Sequence, residues 1–72
     1  MPCITPDGKP TSTGLALLRS LKEGMLSSEE IARISGLSLP RVRSGLRELE
    51  AAGFIEEVDG RHRLSQSGRE IV

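Results

Sequence analysis

Apolar positions recur along this chain at helical spacing in its first two thirds and at strand spacing near its end. Leu15, Leu17, Leu18 and Leu21 are apolar over more than one face. They predict a well-buried first helix, capped by Thr13, running to about Glu23 and stopped by Gly24. After Met25 and Leu26, Ser27 stands three positions before Glu30, the pattern of a capping box. Ile31, Ala32 and Ile34 then give a second helix a short apolar face, and Gly36 ends it. Ser38 opens a third helix with Pro40 in its first turn, where a missing N–H is harmless. Val42, Leu46 and Leu49 follow at spacings of four and three, so they share one side. Gly53 closes this helix.

Residues 54–58 and 61–65 flank Asp59-Gly60, a pair suited to a two-residue hairpin turn. Ser65 can cap a last helical turn reaching Val72, weakened by Gly68. At the other end, Pro2, Pro6 and Pro10 surround a Pro-Asp-Gly turn. Residues 1–12 therefore read as an extended arm, with Ile4 docked on the core and Cys3 mobile, ahead of one domain over residues 13–72. The expected core is Leu18, Leu21, Ile31, Ile34, Leu37, Val42, Leu46, Leu49, Ile55 and Leu64. Gly45, inside the third helix, costs about 1 kcal/mol relative to alanine, which points to close packing against another helix in preference to close approach to DNA or a partner.

Two short helices meeting at a tight glycine turn, the second with arginines on its outer side, describe a helix-turn-helix suited to a DNA major groove. A hairpin directly after the recognition helix is a wing. The order predicts a mainly α fold with a small β-hairpin, a three-helix winged helix-turn-helix with a C-terminal wing. Residues 38–55, SLPRVRSGLRELEAAGFI, resemble the recognition helix and wing approach of ArsR/MarR/Lrp-type winged helix-turn-helix regulators. Arg63-Leu64-Ser65 followed by Gly68 is similar to the ending common after their wings. The resemblance covers roughly residues 13–72 and implies a small transcriptional regulator that binds double-stranded DNA in the cytoplasm. Two departures stand out: the long C-terminal helix that dimerises MarR-like proteins is missing, and many DNA-binding relatives are basic.

Charge alters this picture. Ten basic and ten acidic side chains give a formal net charge of zero, which counts against strong phosphate-driven affinity. The charges are nevertheless blocked. Four arginines and no acid lie between Arg33 and Arg47, and four glutamates and no base between Glu48 and Glu57. Such blocks predict one positive and one negative face. Phe54 is the sole aromatic residue, so a single-strand binder that stacks bases on aromatic rings is disfavoured.

The candidate DNA-binding residues are Ser38, Leu39, Arg41, Arg43, Ser44 and Arg47 on the third helix, with Arg61 and Arg63 on the wing. A guanidinium fork matches guanine O6/N7 or phosphate oxygens in two-point geometry, and serines near a helix start donate to phosphate or base edges. The plainer reading makes these arginines a solvated helix face, with Arg61 and Arg63 paired across the hairpin to Glu56 and Glu57. His62 shares a strand face with Leu64 and reads as a packed side chain.

No Ser/His/acid set, metal-ligand spacing or phosphate-binding glycine loop is present, so neither an enzyme nor a cofactor is expected. Cys3 has no neighbour to activate it, and no stretch is long and apolar enough for a membrane span. No small-molecule pocket is expected in so short a chain. Two other classes stay open: a protein-interaction adaptor whose acidic patch at Glu48, Glu50, Glu56 and Glu57 docks a basic partner, and a DNA-binding subunit of a larger assembly. A homodimer or a partner protein is compatible with each.

Overall fold

The computed structural model describes residues 2–72. It contains α1 (Ser12–Ser20), α2 (Ser28–Ser35), α3 (Leu39–Ala51), β1 (Ile55–Val58), β2 (Arg61–Leu64) and α4 (Gln66–Ile71). This is the mainly helical fold with one hairpin that the apolar spacing predicts.

The helix boundaries follow from local hydrogen bonds. Thr11, not Thr13, caps α1: its Oγ1 accepts from the Gly14 N–H at 3.2 Å. α1 also stops earlier than Glu23, because the Leu21 and Lys22 amides bond back only three residues, to the Leu18 and Arg19 carbonyls, and tighten the chain out of the α-helix. The capping box of α2 is complete. Ser27 N–H donates to Glu30 Oε1 at 2.8 Å, and Glu30 N–H donates to Ser27 Oγ at 3.2 Å. Gly36 ends α2 at φ 76°, a left-handed conformation that costs glycine little. Asp59 and Gly60 both have positive φ, 51° and 79°, as a type I′ turn requires.

That turn sets the register of the hairpin, pairing Ile55 with Leu64, Glu56 with Arg63, Glu57 with His62 and Val58 with Arg61. The chain just before α2 adds to the same sheet. Leu26 N–H donates to the His62 carbonyl at 3.0 Å, and His62 N–H donates to the Leu26 carbonyl at 2.7 Å. Leu26 immediately precedes the α2 cap and Ile31 lies four residues past that cap, the positions of a hydrophobic staple. The connection between α1 and α2 therefore supplies a third, one-residue rung that fastens the wing to the helices.

α1, α2 and α3 pack on one another and on the Ile55–Leu64 pair. The buried core is Cys3, Leu17, Leu18, Leu21, Ile31, Val42, Leu46, Leu49, Ile55 and Leu64. Two expected members differ. Ile34 is 62 % exposed, and Leu37 is half-buried at the margin. Leu17 and Cys3 supply buried volume instead. Cys3 is buried, not in a loose arm: residues 2–11 fold back so that its side chain enters the core, its N–H donates to Glu48 Oε1 at 3.1 Å, and its carbonyl accepts from Thr11 N–H at 2.9 Å.

Glycines make this approach possible. A Cβ on Gly45 would lie 2.6 Å from both Cys3 Sγ and Leu17 Cδ1, so the helix-interior glycine is a packing residue. A Cβ on Gly14 would collide with the Cys3 carbonyl oxygen. Burial, then the nearby Glu48 carboxylate, pushes the Cys3 thiol pKa up, which keeps it protonated and unreactive at neutral pH.

Three outcomes test this packing. Leu46→Ala should cost about 2–5 kcal/mol in urea denaturation, whereas Ile34→Ala should stay within about 0.5 kcal/mol; equal losses would contradict the core assignment. Gly14→Ala should destabilise by about 1–3 kcal/mol through overpacking, opposite in sign to its gain in helix propensity.

The third concerns Glu30. The Ser27 backbone N–H, followed by the Ser27 side chain, holds its carboxyl below the ordinary glutamate value of 4.5. A lowered folded-state pKa stabilises fully above the unfolded value and is lost as pH falls through the folded one. Stability should therefore fall more steeply below about pH 4.5 for the native chain than for Glu30→Gln; parallel curves would show that the capping box carries no such linkage.

Candidate nucleic-acid interface

α3 is held by one face only. Val42, Gly45, Leu46 and Leu49 are buried, and their spacing of three, one and three leaves Pro40, Ser44, Arg47 and Ala51 along the opposite side. All four are exposed. Ser44 and Arg47 thus lie at the centre of the outward stripe. Ser38 caps the helix by backbone position alone, since its side chain makes no capping hydrogen bond, and its exposed hydroxyl is available to another acceptor or donor. Leu39 is half-buried beside it.

The remaining arginines divide between flanks. Arg41 is exposed on the side of α3 that receives the N-terminal segment, close enough to act on the Cys3 thiol. Arg43 lies on the other flank, with its guanidinium 3.6 Å from Glu29 Oε2 of α2. Both partners are more than half exposed, so this ion pair adds little stability and can exchange partners. Arg43 and Arg47 line a cleft of about 180 Å³ between α3, the start of α2 and the wing. Ser28, Glu50, Glu57 and His62 line it too.

The wing presents different chemistry on its two sides. Strand alternation puts Glu57 and His62 on the face that also carries Ile55 and Leu64, toward α3. Arg61 and Arg63 share the other face with Glu56. Arg63 Nε donates to Glu56 Oε1 at 2.9 Å, the cross-strand pairing of the plainer sequence reading. Arg61 stays exposed, within electrostatic reach of Glu30 at the start of α2. His62 is half-buried, with Nε2 3.3 Å from Ser28 Oγ, in keeping with a packed role.

The outward side of α3 thus carries Ser44 and Arg47, with Arg41 and Arg43 on its opposite flanks and Ser38 at its start, while Arg61 and Arg63 lie on the hairpin face turned away from α3. The expected division into one positive and one negative face is not observed. Glu50 follows Arg47 by three residues on the same helix, and the hairpin carries Glu57 back into the Arg43–Arg47 cleft. Sequence blocks fail to become faces because α3 turns and the chain doubles back. Glu29 as the partner of Arg43, and Ser28 as the partner of His62, were not singled out from sequence; both require knowing how α2 sits beside α3 and the wing.

Among the described residues, no group of three His, Cys, Asp or Glu side chains could hold a metal ion. No described helix is long and apolar enough to cross a membrane.

Comparison with known proteins agrees with this architecture. No curated protein matches the chain. The crystal structure of ligand-free NadR is similar in fold, with a TM-score of 0.80 at 23 % sequence identity; the match covers 90 % of this chain and 50 % of that one. This chain thus matches half the length of that structure. Residues 5–61, from the N-terminal segment through the wing turn, match the DprA winged helix domain family. At the level of the winged helix this agrees with the resemblance seen in residues 38–55. The chain belongs to the DprA winged helix domain family.

Proposed function

We propose that this domain binds double-stranded DNA, with the outward stripe of α3 in the major groove and the wing beside it on the backbone. One observation carries the reading: from Ser38 to Arg47 the exposed half of α3 bears three arginines and no acid, while its opposite half is locked into the core. Ser44 and Arg47 are best placed for base edges. Ser38, Leu39, Arg41 and Arg43 border the groove, and Arg61 and Arg63 reach phosphates. A guanidinium at the centre of such a stripe suits two-point contact with guanine.

The charges around it temper affinity. Glu29, Glu50 and Glu57 sit beside the same arginines, so phosphates compete with carboxylates already present. In this reading the domain is a weak DNA-contacting module, working in the cytoplasm as part of a transcriptional regulator or of a larger assembly that supplies additional affinity. Two ion pairs favour a second reading, an adaptor in which Arg43 and Arg63 are already partnered by Glu29 and Glu56.

Fluorescence anisotropy with duplex DNA at several salt concentrations tests the choice. A log–log salt slope of about −3, corresponding to roughly three or four neutralised phosphates, is expected. Arg47→Ala should relax preference at one base pair by about 1–3 kcal/mol. Arg61→Ala should weaken all duplexes alike and flatten the slope by about one unit. Salt-insensitive binding, or none at low salt, would remove the DNA reading. Uniform weakening by both variants would leave α3 as an electrostatic contact without sequence readout.

A further inference from the structure

A second cleft, sharing no residue with the α3–wing cleft, opens where the α1–α2 connection meets β2 and α4. It measures about 240 Å³. Its apolar lining comes from Leu21 and Leu64, both core residues, and from Met25, which is 37 % exposed. Lys22, Arg63 and Arg69 line the same cleft and are exposed, against one lining acid, Glu23.

The charge at this cleft is less self-compensated than on α3. Lys22 and Arg69 have no ion-pair partner among the described residues, and Arg63 shares only its Nε with Glu56. A guanidinium carries five N–H donors, so Arg63 retains others for a second carboxylate. In a chain of zero formal net charge, a cleft with three cations and one acid is a local departure. An exposed methionine over two leucines offers an adaptable apolar seat.

We propose that this cleft docks an acidic segment of a partner protein, one that carries a large apolar side chain between its carboxylates. The apolar side chain occupies the space over Leu21, Met25 and Leu64, and flanking carboxylates meet Lys22, Arg63 and Arg69. Charge complementarity selects the acid, and the apolar seat selects a peptide over a nucleic-acid backbone, whose phosphates would leave it unfilled. A buried anchor surrounded by polar contacts is the usual energetic form of such interfaces. Arg63 lies on the hairpin face opposite Glu57 and His62, so docking here leaves the outward stripe of α3 free. The inference goes beyond the proposed DNA contact, shares only the wing residue Arg63 with it, and does not rest on it.

The test uses the 72-residue chain with carbon-13-labelled methionine methyls and a synthetic peptide of aspartates and glutamates around one phenylalanine. The Met25 methyl resonance should shift saturably, while the amides of Ser44 and Arg47 stay in place. Lys22→Glu and Arg69→Glu should each weaken binding roughly tenfold, and so should replacing the peptide's phenylalanine by alanine. Both variants alter exposed side chains, and an unchanged amide spectrum outside the cleft verifies that they fold.

An unmoved Met25 methyl would overturn the proposal. So would equal binding of the alanine peptide, which would reduce the site to diffuse charge, or an equal shift caused by duplex DNA, which would make it a nucleic-acid surface. Loss of DNA binding at α3 with peptide binding intact would refute the DNA reading and leave this one standing.

Discussion

The pair of backbone hydrogen bonds between Leu26 and His62 is the constraint on which the rest of the surface depends. A two-stranded hairpin alone is marginal in water, and nothing in its own turn dictates where it lies against three helices. The Leu26 rung does. It places β2 between β1 and the start of α2, and strand alternation then decides every side chain's direction. Glu57 and His62 face α3; Arg61 and Arg63 face away. Ser28 meets the imidazole because the α2 cap begins one residue after Leu26. Residues at or next to this joint line both clefts described above, Met25 and Arg63 in one, Ser28 and His62 in the other.

The elements themselves were legible in the chain because local chemistry defines them. Ser27 with Glu30, Gly36, Pro40 and Asp59-Gly60 each solve a backbone problem within a few residues, and the structure uses all of them as expected. Gly45 was legible as a packing glycine. Leu17 of α1 belongs to the neighbouring helix it was expected to meet; its other contact, Cys3, was not legible, because a proline-rich loop that carries no helical or strand period brings it in. Ile34 failed for a related reason: in an eight-residue helix one apolar position hardly separates a buried face from its margin. Gly68 likewise read as a weakness in the last helix, yet a Cβ there would collide with the Phe54 carbonyl oxygen. Local propensity yields to tertiary approach at such points.

Charge was the least legible property. A linear count separates the arginines of α3 from the glutamates that follow, but helical geometry returns Glu50 to Arg47, and the hairpin returns Glu57 to the same cleft. Apart from the half-buried Leu39, the candidate residues on and at the start of α3 are exposed. Their electrostatic surroundings are closer to neutral than the sequence blocks imply. Lys22 and Arg69, which form no ion pair among the described residues, belong to elements that draw no attention in a search for a recognition helix.

The docking of Cys3 on α3 also has a kinetic side. Its N–H reaches Glu48 across 45 positions of sequence, whereas the capping box of α2 and the turn of the hairpin close within a few residues. Loop-closure entropy makes the long contact the later one to form. Residues 2–11 should then behave as a separately opening unit, detaching from Gly14 and Gly45 while the helices and hairpin remain folded. During each such opening the thiol, otherwise sealed in the core, would meet solvent, so its rate of alkylation would time the breathing of the N-terminal segment rather than the unfolding of the domain.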